Sequence, residues 1–245
     1  MARRPRMFIA GQSHHVIQRG NNRSVLFASQ SDSVFILECL RNAAAKHGVA
    51  VHAYALMKTH IHLLVTPATP MSLPKMMQSV GVRFAQYINR QRPRTGALFE
   101  GRYRASLIDS ERYFLTCTRY IESNAPRAGV VQRPEDYPWS SYRANALGIR
   151  DELVTPHRIY LELGRVQANR ELNYRRLFEE PLPTAEIESI RDSTNGAWVL
   201  GSETFRTWVE ATTGRRAGRR HRRVGARKEH PKAVKSGGEP VENGV

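Results

Sequence analysis

Apolar positions change their spacing along the chain in a fixed order. His14-His-Val-Ile-Gln-Arg19 reads as a first strand and runs into the turn formers Gly20-Asn-Asn22. Val34, Phe35, Leu37, Leu40 and Ala44 then recur at helical spacing, with Ser31 or Asp32 placed to cap that helix and Gly48 to end it. Residues 49–57 and 60–65 read as the two strands of a hairpin. A helix over 73–90 follows, with Met76, Met77, Val80, Phe84 and Ile88 on one face and Lys75, Arg83 and Arg90 on the other. Past a basic loop at 91–96, residues 102–109 predict a fourth strand, and Ser110 caps a helix over 111–124 that stops before Pro126.

This β-α-β-β-α-β-α order predicts an α+β fold: a ferredoxin-like (RRM-like) antiparallel sheet with helices on one face and the other face free to hold a polymer. Pro134-Glu-Asp-Tyr-Pro-Trp139 is an irregular aromatic segment expected to pack back on the core. From about residue 155, helical patterns at 157–165, 168–179, 184–193 and 202–213 predict a small helical extension. Arg215-Arg-Ala-Gly-Arg-Arg-His-Arg-Arg223 then opens a basic disordered tail. The expected division is 1–150, 155–214 and 215–245.

Charge sharpens the picture. The net charge is +16. The last 31 residues hold ten Lys and Arg against three acids, which leaves 28 against 19 elsewhere, so the body is basic as well as the tail. That balance points to nucleic acid as partner. Cys39 and Cys117 stand far apart in apolar surroundings and read as buried hydrophobes rather than a disulfide framework or thiolate site. No apolar run approaches the roughly 18–20 residues of a membrane span, and the short run at 7–10 is no signal segment, so a cytoplasmic protein with no membrane partner is expected.

The chemistry centres on Tyr54-Ala-Leu-Met-Lys-Thr-His-Ile-His-Leu-Leu-Val-Thr66. His60 and His62 sit two apart on a strand, so both imidazoles leave from one face and make a ready pair of metal ligands. Downstream, Tyr120 and Asn124 sit four apart on a helix and share its face. Asn124 offers an amide oxygen to a metal and Tyr120 a phenolic nucleophile. If that face meets the histidines, the donor set suits Mg²⁺ or Mn²⁺, with positions open for phosphate oxygens and water. A free tyrosine ionises near pH 10, so the nucleophile needs a metal or a cation such as Arg119 or Lys58. Tyr113, Tyr103 and Tyr87 compete for the role.

The pattern around these residues resembles a known family. His60-Ile-His62 is similar to the His-hydrophobic-His (HUH) motif of the single-tyrosine, IS200-like transposases. The resemblance to their REP-associated tyrosine transposase branch runs over about residues 8–145. It includes His15-Val-Ile-Gln-Arg-Gly20, Tyr54-Ala-Leu-Met57, Gly96-Ala-Leu-Phe-Glu-Gly-Arg102, Arg119-Tyr-Ile-Glu-Ser-Asn-Ala-Pro-Arg-Ala-Gly129 and Tyr137-Pro-Trp-Ser-Ser-Tyr142.

The resemblance implies that Tyr120 attacks single-stranded DNA to form a 5′-phosphotyrosine and a free 3′-hydroxyl, which later rejoins strands without ATP. It implies that His60, His62 and Asn124 hold the divalent ion. It also implies recognition of hairpin DNA with an unpaired guide, for which Arg4, Arg19, Asn21 and Arg102 are the candidates. The 157–213 region resembles a C-terminal extension of some members. Lys58-Thr59 stands where the family usually has Pro-Asn, and Asn124-Ala-Pro-Arg-Ala128 where it usually has Asn-Pro-Val-Arg-Ala.

Two other readings compete: a relaxase-like nickase, and a non-catalytic hairpin-binding protein. The aromatic segment that marks an RNA-binding RRM is missing from the sequence. Monomer and homodimer are both compatible with it.

Overall fold

The structure is a computed structural model and describes residues 6–218. Four strands, β1 (His14–Arg19), β2 (Val49–Met57), β3 (His60–Pro67) and β4 (Arg104–Leu107), form one sheet in the order β2-β3-β1-β4. Every neighbouring pair is antiparallel, which is the ferredoxin-like arrangement expected from the element order. Helices α1 (Gln30–His47) and α2 (Ser72–Gln91) cover one face. There Ile36, Leu40, Met76, Val80, Phe84 and Ile88 bury against Val16, Leu56, Leu63 and Val65. Alternation along the strands sends these apolar residues to one side and the histidines to the other.

Both predicted helix caps move by a residue or two. Ser29 caps α1, accepting from the Asp32 backbone N–H, while the Asp32 carboxylate reaches back to Ser29 N, a reciprocal capping box. Gly48 closes the helix at φ 64°, as expected. Helix α3 (Ser110–Glu122) is preceded by Asp109, whose carboxylate accepts from the backbone and hydroxyl of Ser202, while the Ser110 hydroxyl donates to Ser13. The chain does not straighten before Pro126. A further turn, α4 (Asn124–Arg127), carries that proline in its first turn, where the missing N–H has no intrahelical role.

The second sheet face is not open. Phe114, Cys117, Tyr120 and Ile121 of α3 lie on Ala53, Ala55 and Leu64, the small alanines of β2 admitting the helix closely. Ile190, from α8 (Thr184–Gly196), joins the same cluster. The apolar stripe of α3 needs burial, and this face supplies it.

The other α-helices of the described residues are α5 (Tyr142–Leu147), α6 (Arg158–Leu161), α7 (Gln167–Arg176) and α9 (Glu203–Thr213). Tyr142, Tyr160, Tyr174 and Phe178 bind α5, α6 and α7 together. Tyr137 and Trp139 pack against Met57 and Ala125, placing the aromatic segment on the core. Both sheet edges receive further chain. Trp139 O accepts from Leu56 N, Val154 bridges Val51, and Leu200 runs parallel to Ile108 with Leu200 N donating to Leu107 O.

Cys39 and Cys117 are both free and buried. Among the described residues no helix is long and apolar enough to cross a membrane. Most of the predicted basic tail, and Arg4, lie outside the described residues.

Candidate active site

Strand register builds the site's floor. His60 pairs with Arg19 and Met57, His62 with Ile17 and Ala55, and both imidazoles rise on the face covered by α3. Their ring centroids are 5.0 Å apart at 74°. His15, diagonal to His62 on β1, stacks on it at 5.2 Å. Burial lowers the pKa of His60 to about 4, helped by the charge of Arg19, and lowers that of His62 well below its usual value. Both rings are therefore neutral near pH 7, the state a metal ligand requires.

Helix α3 delivers Tyr120 to these rings. It meets His15 edge-on at 5.6 Å and His62 at 5.8 Å and is only 4% exposed. The competing tyrosines lie elsewhere. Tyr87 stacks on Phe35 beneath the opposite sheet face, Tyr103 lies under the Arg6 guanidinium, and Tyr113 contacts Arg112. Of these four, Tyr120 is the one whose ring meets the histidines. The cation beside it is neither Arg119, which donates to Glu180 O at 2.6 Å, nor exposed Lys58, but Arg127. The Arg127 guanidinium carbon lies 4.3 Å from the Tyr120 ring centroid, and its Nη2 donates to Asn124 Oδ1 at 2.5 Å. Asn124 Nδ2 donates to the Tyr120 and Ile121 carbonyls. The helix thus brings Tyr120 to the histidines while the Asn124 amide is spent on Arg127 and its own backbone.

The ring nitrogens decide whether the histidines suit a divalent ion. His60 Nδ1 contacts Thr59 Oγ1 at 3.1 Å and His62 Nδ1 contacts His15 Nε2 at 2.9 Å, while no hydrogen bond reaches Nε2 of either ring among the described residues. Two anchored imidazoles with free outer nitrogens fit a metal ion. Among the described residues no three His, Cys, Asp or Glu side chains gather into a metal-holding group.

A cationic cleft borders the pair. Arg104 Nη1 donates to the carbonyl and side-chain oxygens of Asn195, and Arg19 Nη2 donates to the same side-chain oxygen. Arg6, Arg102 and Tyr103 line a cavity of ≈ 250 Å³ with Arg104 and Asn195. Of the residues expected to meet DNA, Arg19 and Arg102 lie here. Asn21 begins a short turn whose backbone N–H donates to Leu98 O, its side chain half-exposed.

The residues sequence reasoning missed are Arg127, His15, Thr194 and Asn195. The His15 signal was present, as a histidine in strand parity with Arg19. Arg127 is signalled only by its spacing to Asn124 and Tyr120, which counts if the helix continues through Pro126; Thr194 and Asn195 signal nothing without the packing of α8.

The family described as IS200-like transposase matches residues 9–124. A solved structure of a REP-associated tyrosine transposase bound to a REP hairpin aligns with 64% of this chain and 93% of its own, at 16% identity and TM-score 0.53. At that identity the likeness is one of fold. A second chain, described as a transposase from Deinococcus radiodurans, aligns with 47% of this chain and 94% of its own at 18% identity; its TM-score of 0.34 carries no argument. No curated protein matches the chain.

Proposed function

We propose that the protein, whose residues 9–124 match the IS200-like transposase family, is a single-tyrosine strand transferase that cuts and rejoins single-stranded DNA beside a hairpin. Tyr120 is its nucleophile. The phenolic oxygen bonds to phosphorus and gives up its proton as the phosphorus–O3′ bond breaks, leaving a 5′-phosphotyrosine and a protonated 3′-hydroxyl. A 3′-hydroxyl attacking that linkage reverses the exchange and frees Tyr120. His60, His62 and Asn124 would hold Mg²⁺ or Mn²⁺, which polarises the phosphoryl group when bound. To serve as a ligand, Asn124 would have to give up the bond its side-chain oxygen accepts from Arg127, whose guanidinium would then be available to a phosphate oxygen. Arg19, Arg102 and Arg104 neutralise backbone phosphates. The solved relative bound to a REP hairpin supports a folded DNA partner of that kind.

The observation that carries the reading is the edge contact of Tyr120 on His62, which brings the nucleophile helix to the histidine pair. The burial of Tyr120 favours one alternative, a hairpin-binding protein that no longer cuts. End-labelled single-stranded hairpin DNA from the protein's own genomic flanks, resolved on denaturing gels with and without Mn²⁺, separates the two. The expected result is a metal-dependent adduct that keeps the label on the 3′ side of the cut and disappears in Tyr120→Phe and His60→Ala. Tight hairpin binding without any adduct supports the alternative. An adduct that survives Tyr120→Phe overturns the nucleophile.

A further inference from the structure

The family match ends at residue 124, yet a side chain seventy residues later touches His15, the hydrogen-bond partner of His62. Thr194, in the last turn of α8, places Oγ1 2.7 Å from His15 Nδ1 and 2.8 Å from the Ile190 carbonyl. Thr194, His15 and His62 are each 1–2% exposed, so water does not blur the pairing.

The directions of these bonds follow from counting protons. A hydroxyl has one proton, and a carbonyl only accepts. Thr194 therefore donates to Ile190 O and accepts from His15, which must carry its proton on Nδ1. His15 Nε2 is then a bare acceptor, and its partner at 2.9 Å, His62 Nδ1, is the donor. His62 is thereby left with an unprotonated Nε2. With its Nε2 committed to His62, His15 itself is not a ligand in this arrangement.

We propose that Thr194 and His15 are positioning residues: a relay from the Ile190 carbonyl of α8 that fixes the tautomer and orientation of His62 as a divalent-metal ligand. The C-terminal helices are then part of the active site. This rests on the reading of His60 and His62 as metal ligands. Losing such an outer partner costs about 10–100-fold in metal affinity.

The test uses the full chain and two readouts. One is the imidazole ¹H–¹⁵N spectrum of His62, which reports its protonated nitrogen without metal. The other is Mn²⁺ affinity from electron paramagnetic resonance of the free ion. The wild type is expected to hold the His62 proton on Nδ1. Thr194→Val is expected to mix the tautomers and weaken Mn²⁺ binding about 10–100-fold. Thr194→Ser restores both, and His15→Phe loses the affinity by a route independent of Thr194. A wild-type His62 protonated on Nε2 overturns the relay, as does a Thr194→Val protein with tautomer and affinity unchanged while His60→Ala loses the metal. Should His60→Ala bind Mn²⁺ as the wild type does, the metal reading fails instead, and the proposal with it.

Discussion

Arg127 touches both halves of the proposed catalytic helix, its guanidinium over the Tyr120 ring and one nitrogen on the Asn124 carbonyl. A cation there steadies negative charge growing on the phenolic oxygen and offers a donor to the phosphate. Arg127→Met is expected to slow adduct formation about 10–100-fold, or ~1.4–2.7 kcal/mol, with hairpin affinity little changed; single-turnover gel kinetics beside a binding isotherm measure both. This residue was hidden because Pro126 reads as a helix stop, which cuts Arg127 off from the Tyr120 face. The histidine pair and the Tyr120–Asn124 spacing were legible because strand and helix periods are local. The Asn124–Arg127 pairing is local too, but it depends on α4 continuing through the proline. Thr194 is different in kind: its partner lies 179 positions away, and nothing in the α8 sequence marks it.

At the scale of elements, buried Glu122 joins α3 to α5, through Ser141 and Asn145, and to α7, through Tyr174. It accepts from Ser141 and Tyr174 at 2.5 Å and from Asn145 at 2.8 Å. Tyr174→Phe removes the bond that ties α7 to α3. It is expected to destabilise the protein by about 1–3 kcal/mol, the cost of leaving a buried acceptor without its donor, and hydrogen exchange is expected to rise first in α7. Element order and type were readable from periodicity, and so was the Gly48 stop. The N-caps were not. Ser29, Ser31 and Asp32 all have capping side chains, and only the backbone path selects Ser29. Ser110 is diverted into a chain through Ser13 and Thr66 to His52, whose Nδ1 donates to Thr155 O. The covered second face was equally invisible, since it depends on where α3 docks, with Ile190 of α8 beside it.

Over the whole molecule, burial makes the histidines a pH-dependent load. Desolvation lowers His52 to about 4 and His15 to about 3, against the usual 6.5. Between those values the unfolded chain binds protons the folded one refuses, so their contribution is complete above pH 6.5 and is lost as pH falls toward 4. Glu122 acts the other way. Burial pushes it up to about 7, so its contribution is complete below pH 4.5 and is lost as pH rises through 7. The histidines outnumber it. The urea midpoint is expected to fall between pH 6.5 and 5, more steeply in Glu122→Gln, which removes the opposing group. The basic cleft adds a salt dependence. Arg19→Ala with Arg104→Ala is expected to shrink the slope of log affinity against log salt for single-stranded DNA by about 0.7 for each phosphate no longer neutralised.

The strand-like segment at Leu200 lies along β4 at one rim of the sheet, and Trp139 and Val154 do the same for β2 at the other. Unpaired rims of a sheet are templates on which identical chains stack. By folding its own later residues over both, the chain closes the route by which a basic, DNA-crowded protein would polymerise. Leu200→Pro, which deletes the N–H donated to Leu107, is expected to reopen that route, seen in sedimentation velocity as association that grows with concentration. The C-terminal extension is then also a guard on solubility, and its loss would cost the cell soluble protein as well as activity.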